Sequence, residues 1–374
     1  VTAESHASAA LPLGATIGIL GGGQLGRMSA HAAARLGYRT HVFTPEADSP
    51  AGEVASAVTV ATFEDFDALA GFVAAVDVVT FEFENIAPEV LDELDRLGAL
   101  CRPATAALRI TQDRILEKRF LGTMGIPIAP WGEVPEGAGG VDIPYPAVLK
   151  TSRLGYDGRG QARVENQGEA AAARRRLAPH PLVWEAFMPF TMEISAVAAR
   201  GVDGTVAIYD IVENLHRHHI LAESRVPARI DDATGHAARA HVGRVLDGLE
   251  FVGVLALEMF VMPDGAVIAN EIAPRPHNSG HWTMDACQVS QFDQHIRAVA
   301  GLPVLAPRRH ADVVMDNLVG PEGAARWAAA VADADCVPHW YGKREVRAGR
   351  KLGHVNRLAP LDAPLGTPGA DQPD

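Results

Sequence analysis

The chain has 374 residues, 48% of them apolar and 21% charged, with a net charge of −13. That is too long for one small core and suits a globular protein of two or three domains. The acidic balance argues against a general binder of nucleic acid, though not against a local basic pocket, and no apolar run reaches the length of a membrane span. The first residues, VTAESHASAALPLG, lack the regions of a signal peptide and read as a flexible leader over 1–14.

TIGIL, from Thr16, is a short buried strand. Gly21-x-Gly23-x-x-Gly26 follows, at the spacing of a dinucleotide-binding loop. QLGRMSAHAAARLG is helical and stops at Gly37; RTHVFTP is a second strand, 65–75 a helix, and DVVTFEFE (77–84) a third strand. This alternation predicts an α/β domain with a parallel sheet over 15–110. From 111 to 305 the texture changes to α+β. The strands AVLK, GQARVE, PLVWEAF, MEISAVAA, TVAIYD, NLHRHHIL, VGVLALEMFV and AVIANEIA are interrupted by helices near 167–177 and 231–249. Grouped strands with few helices predict a mostly antiparallel sheet. A small third part spans 306–357 and carries the basic cluster HWYGKREVRAGRKLGH. The tail at 358–374 is rich in Pro, Gly and Asp and reads as disordered. Cys101, Cys287 and Cys336 lie far apart with no C-x-x-C pair, which fits small buried hydrophobes in a reduced, cytoplasmic compartment.

Asp264-Gly265 is a hairpin signal between apolar runs. With those two residues as the loop, Pro263 pairs with Ala266, and counting outward sets Glu258 opposite Glu271. Directly opposed residues share a face with Cβ atoms roughly 4.5–5.5 Å apart. Two such carboxylates repel, and a divalent cation is the natural counter-charge; oxygen ligands favour Mg²⁺ shared with phosphates. The alternative is solvent exposure, or pairing with arginines such as Arg275.

A second constellation is AVLKTSRLGYDGRGQARV. A strand ends in Lys150, and Gly155, Gly158 and Gly160 precede the next strand. Strand–loop–strand is not the P-loop plan. It suits a lid whose N–H groups cover a triphosphate, with Lys150 as a fixed charge, or else an ordinary hairpin. Beside a two-carboxylate metal site, ATP with Mg²⁺ is the better reading. The strand ending at Glu185-Ala186-Phe187-Met188 could read an adenine edge, and Glu193 could take ribose hydroxyls.

The motifs GGGQLGRM, VTFEFENI, TQDRILEKRF, LGYDGRGQ, NEIAPRPHNSGHWT and HWYGKREVRAGRKLGHV resemble, in order, those of the ATP-grasp superfamily. More closely, residues 16 to 357 resemble the N5-carboxyaminoimidazole ribonucleotide synthase family of purine biosynthesis. The resemblance implies an ATP-grasp fold: an N-terminal Rossmann-like parallel-sheet domain, a central ATP-grasp domain with a lid at about 126–190, and a small C-terminal domain. It implies a ligase that turns ATP and bicarbonate into carboxyphosphate, whose carboxyl the amine of 5-aminoimidazole ribonucleotide captures, with release of ADP and phosphate. ATP, Mg²⁺ or Mn²⁺ and bicarbonate are expected; NAD, biotin, nucleic acid and membrane are not, and a homodimer is.

By motif position the resemblance assigns ATP contacts to Arg114, Lys150, Glu185, Ala186, Phe187, Met188, Glu193, His216, Asn270 and Glu271. Gly155, Gly158, Gly160 and Gln161 would cover the phosphates, and Glu258 and Glu271 would hold the metal. In this family the first glycine loop holds no NAD: the backbone of Gln24 and Leu25 faces the ribonucleotide, since helix-start N–H groups favour anions. Glu82 would take ribose hydroxyls or the amine; Lys343, Arg350 and Lys351 would grip the 5′-phosphate, where a plain solvated face is the alternative. Tyr156, Asp157, Arg159, Arg275, His277 and Asn278 remain for the chemistry. Arg275 suits a planar oxyanion. His277 could orient bicarbonate or take a proton, or be structural, and Asp157 could simply shape its loop. Relatives are expected to carry a helix after KLGHV, which NRLAPLDAPLGTPGADQPD cannot form.

Three rivals were weighed. A formate-using transformylase or biotin-type carboxylase fits PRPHNSGHWT with HWYGK poorly. An NAD-dependent oxidoreductase needs an acid after the second strand, where Glu46 is only loosely placed behind Pro45, and leaves Glu258, Glu271 and the 155–160 loop unexplained. A non-catalytic nucleotide sensor would tolerate loss of the metal carboxylates, and both are present.

Overall fold

The computed structural model describes residues 10–134, 143–155 and 160–362. The N-terminal part alternates strand and helix: β1 (Thr16–Leu20), α1 (Gln24–Arg35), β2 (Arg39–Thr44), β3 (Ala57–Val60), α2 (Phe66–Ala74), β4 (Val78–Phe81), α3 (Pro88–Arg96) and α4 (Thr105–Thr111). The four strands form a parallel sheet in the order β3-β2-β1-β4. β1 and β4 are buried on both faces and read as apolar runs, whereas edge strand β3 is mostly exposed. β4 is shorter than the eight residues of DVVTFEFE, ending at Phe81. Its last three residues, Glu82 to Glu84, leave the sheet and enter the cleft described below.

The next segment holds α5 (Arg114–Thr123), β5 (Trp131–Val134), β6 (Ala147–Thr151), β7 (Gln161–Val164), α6 (Gln167–Leu177) and β8 (Leu182–Ala186). Its strands make a separate antiparallel sheet, β5-β8-β6-β7, with a small core of its own under α6.

The third sheet is the scaffold of the molecule. It contains β9 (Met192–Arg200), β10 (Val206–Ile208), β11 (Val212–Arg217) and β12 (Ile220–Val226), then α7 (Asp232–Gly248), β13 (Gly253–Val261) and β14 (Val267–Ala273). After α8 (Thr283–Ala286) and α9 (Gln291–Val299) come β15 (Asp312–Val319), α10 (Gly320–Ala332), β16 (Cys336–Trp340) and β17 (Lys351–Ala359). The strand order is β14-β13-β9-β11-β12-β15-β17-β16, with β10 beside β9. The C-terminal strands therefore extend the central sheet through β12–β15 instead of forming their own. One face packs on α7 and α5, burying Val242, Val245 and Leu246. Helix α9 docks the N-terminal sheet on the central sheet: its Phe292, Ile296 and Val299 pack with Ile17, Leu25 and Met28.

Three expectations change. NLHRHHIL is not one strand: His218 and His219 take positive φ (50° and 63°) and turn β11 into β12. The leader is tied down as far as it is described, since Leu11 N–H donates to Ala300 O at 2.8 Å and Gly14 N–H to Gly37 O at 2.9 Å; residues 1–9 lie outside the described residues. The tail does not begin at 358, because Leu358 and Ala359 complete β17 and pair with Val313 and Asp312; residues 363–374 lie outside the described ones. Where a helix is expected after KLGHV, the described chain continues β17 and then ends in a turn.

Candidate active site

The three sheets enclose one cleft of about 1060 Å³. Its walls bring together Gln24, Leu25, Glu82, Arg114, Lys150, Gly155, Gln161, Glu185, Ala186, Phe187, Met188 and Glu193. They also hold His216, Glu258, Asn270, Glu271, Arg275, His277, Asn278, Lys343, Arg350 and Lys351. Gly160 stands behind the wall at the root of its loop, with φ +69°. Tyr156, Asp157, Gly158 and Arg159 lie outside the described residues.

The β13–β14 hairpin sets Glu258 opposite Glu271, but not by a two-residue turn. Met262 N–H donates to Ala266 O and Val261 pairs with Val267, so the loop is one residue longer and the register is offset by one. A bulge restores it: Met259 pairs with Ala269, Glu258 with Glu271, and Asn270 is the extra residue. Bulges re-aim side chains beside sites. Here Asn270 faces the cleft, and its Oδ1 is buried with no hydrogen-bond partner. The like charges are balanced within the protein. His277 Nε2 lies 3.1 Å from Glu258 Oε1, and Arg114 Nη1 lies 3.1 Å from Glu271 Oε2. Burial pushes the Glu258 carboxyl up, but the hydrogen bond and charge of His277, with the charges of His216 and Lys351, hold it below the usual range. Repulsion alone therefore does not demand a metal. The donor set nevertheless fits one: two carboxylates and an orphaned amide oxygen are hard oxygen ligands, and Mg²⁺ completes its shell with water and phosphate oxygens. A fuller cage of three or more His, Cys, Asp or Glu side chains is absent among the described residues.

On the lid side Lys150 Nζ donates to Glu185 Oε2 at 3.0 Å. Lys118, whose side chain is wholly buried, lies 3.2 Å from the other oxygen of the same carboxylate. Burial pushes Glu185 up, and the opposing charges of Lys150, Lys118 and Arg114 outweigh it, holding the carboxyl at about 2. Glu117 is pushed up to about 8 by burial and accepts Ile272 N–H at 2.6 Å. Helix α5 thus presents Arg114, Glu117 and Lys118 at i, i+3 and i+4 on one face. That periodicity was available in TQDRILEKRF, yet sequence reasoning took only Arg114 from it. At the end of β8, expected to read an adenine edge, Ala186 and Phe187 donate their N–H groups to Pro130 O and Pro146 O, so those two are engaged within the protein. Glu193 Oε2 and His216 Nδ1 are 2.6 Å apart.

At the N-terminal wall the helix-start N–H groups are not bare. Leu25 N–H donates to Glu82 Oε1 at 3.3 Å, so Glu82 is itself the anion at the start of α1. Burial pushes its carboxyl up to about 7, against the pull of Arg275, Leu25, Gly23 and Lys343. Burial lowers Lys343 to about 8. Arg275 does not pair with Glu258 or Glu271; it is clamped by Glu84, which sequence reasoning passed over although it stands two residues from Glu82. Asn278 is buried, and its Oδ1 and Nδ2 have no hydrogen-bond partner among the described residues.

A parallel-sheet domain, a satellite sheet and a long antiparallel sheet closing on a cleft lined by both carboxylates and cations define an ATP-grasp enzyme. The family model for the ATP-grasp domain matches residues 119–292, that for the ribonucleotide synthetase preATP-grasp domain matches 14–112, and that for the phosphoribosylaminoimidazole carboxylase C-terminal domain matches 313–364. The N5-carboxyaminoimidazole ribonucleotide synthase of Brucella melitensis is 49% identical over 93% of this chain and 97% of its own. A crystal structure of an N5-carboxyaminoimidazole ribonucleotide synthetase with ADP is 40% identical, with a TM-score of 0.88 over 94% of both chains. The Aspergillus clavatus synthase with ADP and 5-aminoimidazole ribonucleotide is 30% identical, with a TM-score of 0.86 over 93% of this chain and 94% of that one. The chain belongs to the N5-carboxyaminoimidazole ribonucleotide synthase family of ATP-grasp ligases.

Proposed function

We propose that this enzyme carboxylates 5-aminoimidazole ribonucleotide on its amine, consuming ATP and bicarbonate and releasing ADP and phosphate. The observation that carries the reading is one cleft lined on one side by Lys150, Glu185 and the adenine hinge, and on the other by Glu82 and Lys343. Two substrates would meet there with Arg275, His277 and Asn278 between them. ATP would lie along β6, β8 and β14. Glu258, Glu271 and Asn270 Oδ1 are the oxygens suited to Mg²⁺ or Mn²⁺, which when bound would neutralise charge on the phosphates.

Arg275, with planar donors, suits bicarbonate and the phosphoryl group it attacks. Asn278 offers an amide whose atoms have no other partner among the described residues. Lys343, Arg350 and Lys351 suit the 5′-phosphate. Glu82, held near neutral pH by burial, suits a ribose hydroxyl or the attacking amine. The lid would exclude water, which matters because carboxyphosphate hydrolyses readily. Cytoplasmic location and a homodimer are expectations of the family; among the described residues no helix is long and apolar enough to cross a membrane.

ADP release is measured with MgATP and bicarbonate, with and without the ribonucleotide. The expected result is release that rises at least about tenfold with the ribonucleotide and is lost in Glu271→Ala, consistent with the several kcal/mol that a metal site supplies. Release indifferent to the ribonucleotide would point to a different acceptor, and no release in any mixture would point to a nucleotide sensor.

A further inference from the structure

Glu84 sits in the N-terminal wall and Arg275 in the central sheet's wall, 191 positions apart in the chain. Both side chains line the cleft at about one-fifth exposure, 20% and 18%. The carboxylate takes two N–H groups of the guanidinium. Arg275 Nε donates to Oε2, and Nη2 donates to Oε1 at 2.9 Å. Nη1 donates to Pro276 O at 3.2 Å. A guanidinium has five N–H donors in a fixed plane. Three are therefore engaged among the described residues, which leaves one N–H on each of Nη1 and Nη2. Because Glu84 takes the Nε edge, the Nη2 hydrogen left over points to the end of the fork, beside Nη1, which is the edge that can meet a planar oxyanion.

From this arrangement we infer that Glu84 is the positioning residue of the reaction. It fixes the roll of Arg275, so that the end of the fork, and not its side, is offered to bicarbonate and the carboxyphosphate made from it. The inference rests on the proposed carboxylation. Glu84 touches no substrate in this role. Without it the guanidinium can turn about its last bonds, and a misaligned clamp of this kind costs on the order of 100-fold in rate. The same strand end carries Glu82, so one short segment holds both the carboxylate of the ribonucleotide wall and the carboxylate that fixes the clamp. A loosened clamp should release carboxyphosphate to water before the amine attacks. The phosphoanhydride then breaks with water as nucleophile, giving bicarbonate and phosphate, while ADP has already formed.

The test uses full-length enzyme with MgATP, bicarbonate and the ribonucleotide, measuring ADP and carbamate product separately. Glu84→Gln is expected to lower kcat for product about 100-fold, to raise the ADP-to-product ratio well above the wild-type value, and to leave the KM for ATP within about twofold. Glu84→Asp, which keeps the charge, should recover part of the coupling. The double variant Glu84→Gln/Arg275→Lys should be no worse than Arg275→Lys alone, because the two residues act as one unit. Wild-type coupling retained in Glu84→Gln overturns the inference. So does an additive double variant, or a loss shared equally with ADP affinity and melting temperature, which would mark a purely structural ion pair. A wild-type enzyme that ignores the ribonucleotide overturns the carboxylation itself and this inference with it.

Discussion

The two glycine loops of this protein look alike as sequences and differ in every physical respect as structures. Gly21–Gly23 joins a buried parallel strand to a helix. Gly21 has φ +114°, and a Cβ on Gly23 would lie 2.2 Å from Glu82 Oε1. Glycine is needed there chiefly for space, because Glu82, at the end of the neighbouring strand β4, presses against the loop. The second loop, from Gly155 to Gly160, leaves and re-enters neighbouring antiparallel strands of the satellite sheet. Gly160 is needed for its left-handed backbone, with φ +69°. The first loop rests on a core shared with α9 and reaches into the central domain; the second rests on a core of nine buried residues that belongs to its own sheet. A wall tied into the main core opens only with that core, while a sheet with a satellite core of its own can open locally at lower cost.

Mild acid should separate the two regions most strongly. His295 on α9 is buried between the domains, receiving Val254 N–H on Nδ1 at 3.3 Å and facing Thr80 Oγ1 from Nε2 at 2.9 Å. Burial pushes its imidazole down to about 4 from 6.5. Between those values the unfolded chain binds the extra proton, so the contribution of His295 to stability is full above about pH 6.5 and is lost as pH drops toward 4, by up to about 3 kcal/mol. Buried His281 and His354 shift in the same direction. Hydrogen exchange at pH 5 against pH 7.5 should show faster opening at α9 and β4, with the lid strands β6–β8 unchanged. Equal acceleration in both regions would remove the distinction.

Gly23→Ala comes next. Its φ of −79° is open to any residue, so the effect is steric. The Glu82 carboxylate must swing aside, and kcat/KM for the ribonucleotide should fall about 30-fold, or about 2 kcal/mol, with ADP affinity unchanged. Gly160→Ala has the smallest effect. It should cost about 1 kcal/mol of local lid stability, from positive φ and a Cβ 2.6 Å from Thr151 Oγ1. Because the lid has its own core, the cost should appear as a higher KM for ATP and faster proteolysis of the loop, with the melting temperature of the main core unmoved.

Much of the architecture was legible because periodicity is local. The strand from Thr16, the helix at 167–177 and the helix near 231–249 follow from spacing and from caps such as Asp231, which accepts Thr234 N–H at 2.7 Å. The opposition of Glu258 and Glu271 was legible for a partly mistaken reason. The turn is one residue longer than counted, and the bulge at Asn270 returns the register. Neither deviation is written in hydrophobic alternation, which is why two errors cancelled. The hairpin hidden in NLHRHHIL was missed because histidine gives no turn signal of the kind glycine or proline does.

By itself the sequence determined the sheet classes, the family motifs and the residue types that line the cleft, since each depends on neighbours within a few positions. Only the tertiary structure decided the partners: Lys118 with Glu185, Arg114 with Glu271, His277 with Glu258 and Glu84 with Arg275. Charges attract without directional preference along a chain, so which carboxylate meets which cation is settled where three sheets close on one low-dielectric cleft, and nothing local encodes that closure.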